Sequence, residues 1–105
     1  MTTFDKREEG FEKQFAHDEE LRFRANARRN KMLGLWAAGK LGMTGPAAEA
    51  YAKELVTADL EAGGDVFGKL RHDFDAKGVK ESDHQIRRTM DELMTKAVAE
   101  IKAAR

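Results

Sequence analysis

The longest helical pattern in the chain lies between Phe15 and Pro46, a stretch that contains the single Trp and the single Pro. Apolar residues recur there so that, at about 100° per residue, they fall on one stripe of a helix. The members of this stripe are Leu21, Ala25, Met32, Leu35, Trp36 and Gly39. The period predicts a first helix from about Asp18 to about Gly42, buried along that stripe, with Trp36 as an anchor of the core.

Two shorter apolar patterns follow, and glycines separate them. Pro46 is tolerated at a helix start, so a second helix is predicted from there to about Ala62. Its expected buried side consists of Ala47, Tyr51, Leu55, Ala58 and Ala62. Asp65 is placed to cap a third helix, which Gly78 ends in the left-handed conformation. The expected buried residues of that helix are Val66, Phe67, Leu70 and Phe74.

A fourth helix is predicted from the capping box that Ser82 and Gln85 form, with Ser at the cap and Gln three residues later. The helical period behind the cap continues to the C-terminus through Ile86, Met90, Leu93, Met94, Ala97 and Ile101. Four amphipathic segments joined by short glycine-containing links indicate an all-α, four-helix bundle-like domain, residues 18–105.

Residues 1–17 form a separate, highly charged N-terminal segment. Phe4, Phe11 and Phe15 lie within about 40° of each other when the segment is wound as a helix. Three rings bury too little area to offset ordering costs of about 1–2 kcal/mol per residue, so we expect this segment to be disordered in the free protein. Either a partner supplies a groove for the stripe, or the rings fold back onto the domain.

Composition narrows the function classes. The chain has 105 residues with 19 basic and 19 acidic side chains, which disfavours a globally basic nucleic-acid binder. It has no Cys, so disulfides and thiolate metal sites are excluded. No apolar run approaches a membrane span and polar residues follow Met1, so we expect a cytoplasmic protein without membrane insertion.

Few residues suggest catalysis. Gly34 to Lys40 has the spacing of a phosphate-binding loop, but Leu41 replaces the required hydroxyl and no strand precedes. Gly34 and Gly39 are better explained as points of close helix approach. The chain has three histidines, His17, His72 and His84, and their spacing is not that of metal ligands. We therefore expect no enzyme activity, no cofactor and no metal.

Charge is segregated along the chain. Residues 1–20 carry seven acids and three bases, whereas residues 21–43 carry six bases and no acid. The first helix accordingly holds a basic cluster of Arg22, Arg24, Arg28, Arg29 and Lys31. A solvated or internally paired face is the default interpretation, because most surface pairs contribute little. The alternative is a small helical adaptor, or a nucleic-acid or nucleotide-binding module, that uses this arginine-rich helix.

An ordered series of short motifs resembles a known family over nearly the whole chain. The series comprises FAHDEEL from Phe15, ARRNK from Ala27, LGLWAA from Leu33, TGP from Thr44, YAKE from Tyr51 and FD from Phe74. It resembles the zeta subunit of α-proteobacterial F-type ATP synthases, an intrinsic ATPase inhibitor. Periodicity alone does not reveal that function.

The resemblance implies a four-helix domain with an N-terminal segment that inhibits ATP hydrolysis. In that family the segment inserts at a catalytic α/β interface beside the rotor stalk and blocks hydrolytic rotation. The implied partners are thus the α, β and rotor stalk subunits of a membrane-bound enzyme, with which the protein associates peripherally. The candidate contact residues are Phe4, Asp5, Arg7, Glu8, Glu9, Phe11 and Phe15.

Overall fold

Four α-helices make up most of the part of the chain that the structure describes. The computed structural model describes residues 19–104. Its helices are α1 (Glu19–Lys40), α2 (Gly45–Leu60), α3 (Val66–Lys77) and α4 (Asp83–Ala103). The all-α fold with four helices and short links is therefore confirmed, and every helix end other than the start of α1 lies within two residues of its predicted position. The predicted start of the first helix at about Asp18 lies outside the described residues.

The predicted helix signals are present in atomic detail. The Asp65 carboxylate accepts a hydrogen bond of 2.9 Å from the Gly68 N–H and caps α3. Gly78 ends that helix with φ of 71°, a left-handed conformation that glycine adopts without strain. The Ser82 hydroxyl accepts a 3.0 Å bond from the Gln85 N–H at the start of α4. These local signals fix where helices begin and end.

The main core lies where α1, α2, α3 and the start of α4 meet. Its fully buried large side chains include Leu33 of α1, Leu55 of α2, Phe74 of α3 and Ile86 of α4. Trp36 packs against this cluster, with its ring edge-to-face to Phe74 at a centroid distance of 5.8 Å. Trp36 is only partly buried, so its predicted role as a core anchor is correct only in part.

Two helices approach each other closely at Gly34. A Cβ atom placed on Gly34 lies 2.5 Å from the Cα of Ala52, well inside van der Waals contact. Glycine therefore lets the backbones of α1 and α2 touch, as predicted. A Cβ on Gly39 meets nothing within 4 Å, so the matching prediction for Gly39 is wrong.

A second, smaller cluster joins the two ends of the described chain. Leu21 and Ala25 of α1 pack there against Val98 and Ile101 of α4, with Met94 beside them. The first half of α1 thus packs against the end of α4, whereas its second half packs in the main core with α2, α3 and the start of α4.

Because the packing partners of α1 change along its length, the prediction of a single buried stripe is wrong. Leu35 is 37% exposed and Gly39 is exposed, whereas Leu21 and Ala25 are buried as expected. The buried residues in the second half of α1 are Asn30, Leu33, Gly34, Ala37 and Ala38. A fixed angle of about 100° per residue cannot follow a helix that changes partners along its length.

The buried faces of the other helices agree better with the sequence. In α2, Tyr51 and Leu55 are buried, but Ala47 and Ala62 are exposed because they lie at or beyond the helix ends. Phe67 of α3 is partly buried. In α4 the core extends to Thr89 and Val98, and the residues that are partly rather than fully buried are Met90, Leu93 and Met94. Within residues 19–104, no helix has the length and apolar character to cross a membrane.

Candidate functional site

The predicted contact segment lies outside the described residues. This applies to all seven candidate residues, to the expected disorder and to the domain boundary at residues 17 and 18. The candidate residues are Phe4, Asp5, Arg7, Glu8, Glu9, Phe11 and Phe15. What the structure does show is the first turns of α1, to which this segment is joined in the sequence.

An apolar groove lies at that end of the bundle. It has a volume of about 380 Å³, and its apolar walls come from α1 and from the end of α4. These walls are formed by Leu21, Phe23, Ala27, Ile101 and Ala104. Phe23 is 56% exposed, and it lies beside the other apolar side chains of the groove. Phe23 is the one aromatic residue within the basic cluster of α1, and no local pattern in the sequence indicates that Ile101 lines the same groove.

Two arginines of the basic cluster form the polar part of this groove. Arg24 pairs with Glu20 at 3.0 Å, and Arg28 pairs with Glu100 of α4 at 3.3 Å. All four side chains are more than 40% exposed, so each pair is weak and readily exchanged. The interpretation of an internally paired face is confirmed for these two arginines.

Arg29 points toward the interior of the bundle. Its Nε donates a 2.7 Å hydrogen bond to the Oδ1 of Asn30, a side chain with no exposed surface. Burial lowers the pKa of Arg29, and the nearby carboxylates of Asp59 and Asp91 oppose that shift. Among the described residues, the Asn30 Nδ2 has no hydrogen-bond partner. Arg29 thus serves the contact of α1 with α2 and α4 rather than an exposed binding face.

A second cavity, of about 240 Å³, lies between the α1–α2 link, α2 and α3. The Tyr51 hydroxyl donates a 2.7 Å hydrogen bond to Asp73 there. Lys69 Nζ lies 3.1 Å from Asp73 and 3.7 Å from Glu54. Burial, and then the bond to Asp73, raises the pKa of Tyr51 above its usual value. The phenol therefore stays protonated near neutral pH and acts as a donor rather than as a base.

The features once considered for catalysis have structural roles. α1 runs unbroken through Gly34 and Gly39, so its glycines do not form a phosphate-binding loop. Lys40 Nζ pairs with Glu81 at 2.9 Å and lies 5.8 Å from the centre of the Trp36 ring. Within the described residues no cluster of ligands suits a metal ion, and His72 and His84 are exposed.

Comparison with known proteins places these features in a family. A family model described as ATPase inhibitor subunit zeta matches residues 1–100. A search of curated proteins gave no match. One protein solved by solution NMR is 40% identical to the chain and superposes with a TM-score of 0.68. That match covers 81% of this chain and 99% of the other. Since the family model spans almost the entire sequence, this chain belongs to the ATPase inhibitor subunit zeta family.

Proposed function

We propose that this protein inhibits ATP hydrolysis by F-type ATP synthase through its N-terminal segment. Residues 1–17 are the inhibitory segment and residues 18–105 are the helical body that carries it. The segment enters a catalytic α/β interface near the rotor stalk and blocks rotation in the hydrolytic direction. Binding to this enzyme places the protein on the cytoplasmic side of the membrane as a peripheral subunit.

The observation that carries this proposal is the extent of the family match. It covers residues 1–100, so it includes the segment as well as the body. The described residues support the role of the body as a carrier of the segment, because their polar clusters stabilise helix contacts rather than form a catalytic site. The balance of 19 basic and 19 acidic side chains weighs against the alternative of a nucleic-acid module.

The expected chemistry of inhibition follows from the phenylalanine stripe. Phe4, Phe11 and Phe15 share one face of a helix, the pattern of a segment that binds with its apolar side in a groove. A buried aromatic anchor contributes about 2 kcal/mol or more, whereas an exposed charge contributes about 0–1 kcal/mol. The affinity of the segment therefore depends more on its rings than on its net charge.

Titration of ATP hydrolysis by purified F-type ATPase tests the proposal. Phe11→Ala is expected to weaken inhibition about thirtyfold or more, the equivalent of about 2 kcal/mol. Glu9→Gln is the matched control, because it changes a neighbouring charge without removing an anchor, and is expected to have a much smaller effect. Thermal unfolding of each variant is expected to match that of the parent, since the main core lies within residues 33–86.

Removal of residues 1–15 decides whether the assignment is correct. The truncated chain is expected to lose inhibition completely. If it inhibits as well as the full chain, the segment is not the inhibitory element. If Phe11→Ala inhibits as well as the parent while truncation abolishes inhibition, the segment acts through contacts other than this stripe.

A further inference from the structure

The groove between the first turns of α1 and the end of α4 has a role that inhibition of the ATPase does not explain. Its volume of about 380 Å³ is that of a small binding site, and the ring of Phe23 on its wall is 56% exposed. We propose that this groove is a docking site for the chain's own residues 4–15, so that a self-docked state withholds the segment from its target. The inference rests on the proposed function for its consequence, but not for the docking itself.

Chain length permits this docking. The groove residues of α1, from Leu21 to Arg28, begin two residues after Glu19, where the described chain starts. Eight helical residues extend about 11 Å along the axis. The four Cα-to-Cα steps from Phe15 to Glu19 span up to about 14 Å when the chain is extended. The chain can therefore reverse direction and bring Phe15 and Phe11 to the groove.

The segment also has the chemistry that the groove requires. It offers aromatic rings on one helical face, and the groove offers apolar walls from both α1 and α4. Residues 1–18 contain five acids and three bases, whereas the charged residues lining the groove are Arg24 and Arg28. The present carboxylate partners of these arginines are exposed, so an acidic segment can replace them at little cost.

The chain's own segment is a better occupant than a second copy of the protein. A stable interface between two proteins takes about 800 Å² from each partner, whereas this groove of about 380 Å³ has the size of a small-ligand site and suits the rings of one short segment, with Phe11 and Phe15 in the groove. A tethered segment also competes at an effective concentration in the millimolar range. Rings that bind weakly as separate molecules can therefore occupy the groove within one chain.

Self-docking has a definite effect on inhibition. The apparent affinity for the ATPase equals the affinity of the undocked state multiplied by the fraction of molecules whose segment is undocked. If nine in ten segments are docked, inhibition is about tenfold weaker than the segment alone allows. A change that damages the groove is then expected to strengthen inhibition, the opposite of a change that damages the segment.

A spin label in the full chain tests the docking directly. The chain has no Cys, so Thr3→Cys gives a single attachment point next to Phe4. Docking is expected to broaden the methyl NMR signals of Ile101 and Ala104, and Phe23→Ser is expected to remove most of that broadening. Leu60→Ser is the matched control, because Leu60 is 58% exposed and does not line the groove.

The outcomes separate the possible occupants. Broadening that persists in Phe23→Ser, or never occurs, overturns the proposal. Broadening that decreases on dilution assigns the groove to a second copy and also overturns it. In the ATPase titration, Phe23→Ser is expected to inhibit at a two- to tenfold lower concentration than the parent, and Leu60→Ser at the same concentration.

Two results in that titration have different meanings. If Phe23→Ser weakens inhibition, the groove contacts the ATPase, and the self-docking inference is wrong while the inhibitor assignment remains. If the parent chain does not inhibit, the proposed function fails, and the spin-label result alone decides whether the segment docks.

Discussion

Adding one methyl group at Gly34 is expected to destabilise the bundle. The new Cβ lies 2.5 Å from the Cα of Ala52, so restoring an ordinary contact of 3.4 Å moves the α1 and α2 backbones apart by about 0.9 Å. A backbone atom cannot rotate away, which puts the cost near the upper end of the usual 1–3 kcal/mol for overpacking. Higher helix propensity returns about 1 kcal/mol. The net loss for Gly34→Ala is therefore about 2 kcal/mol.

Gly39→Ala is the matched control on the same helix. Its Cβ meets nothing within 4 Å, so only the propensity gain of up to about 1 kcal/mol remains and the change is expected to stabilise. Urea unfolding measures both variants. With a slope of about 1–2 kcal/mol per molar, Gly34→Ala lowers the midpoint by about 1–2 M.

The double variant Gly34→Ala with Ala52→Gly refines this test. It relieves the 3.1 Å contact with the Ala52 Cβ but keeps the 2.5 Å contact with the Cα, so stability is not expected to return. If Gly34→Ala alone is as stable as Gly39→Ala, the helices are not in backbone contact there, and the reasoning is refuted.

Two further predictions concern aromatic residues at the edge of the main core. The raised pKa of Tyr51 means that its protonated form stabilises the fold, so this contribution is complete below the ordinary pKa of 10.0 and decreases as pH rises above it. The stability difference between the parent and Tyr51→Phe is therefore expected to shrink as the pH rises above about 10 in urea unfolding, and a constant difference would show that burial and the Asp73 bond do not raise this pKa. Because Trp36 is only partly buried, Trp36→Ala is expected to cost about 2 kcal/mol, less than the usual 3–5 kcal/mol for a fully buried aromatic. A cost below about 0.5 kcal/mol would show that the ring does not pack on Phe74.

Helix ends were predictable because the signals for them are local. Asp65, Gly78 and Ser82 each act on residues no more than four positions away, and each has its predicted role. The buried face of α1 was not predictable in the same way. Leu33 and Leu35 are both leucines, two positions apart on α1. Only the position of α2 decides that Leu33 is buried and Leu35 is exposed.

The candidate site likewise has residues that the sequence predicts and residues that only the packing of the helices brings together. The seven residues of the N-terminal segment follow from the family resemblance, and they remain predictions because they precede Glu19. The groove beside that segment depends on Phe23 and Ile101, which are far apart in sequence and have no periodicity in common. Only the packing of α4 against α1 brings them together.

The small cluster that joins Leu21 and Ala25 to Val98 and Ile101 has a consequence for folding. These contacts link the most distant parts of the described chain, so they carry the largest loop-closure entropy and are expected to form after the main core. The cluster is also the smaller of the two, so local opening there requires less free energy than global unfolding. Amide hydrogens in the first turns of α1 should therefore exchange sooner than those around Leu33. The end of the bundle that connects to the N-terminal segment is thus the end that we expect to open while the rest of the domain stays folded.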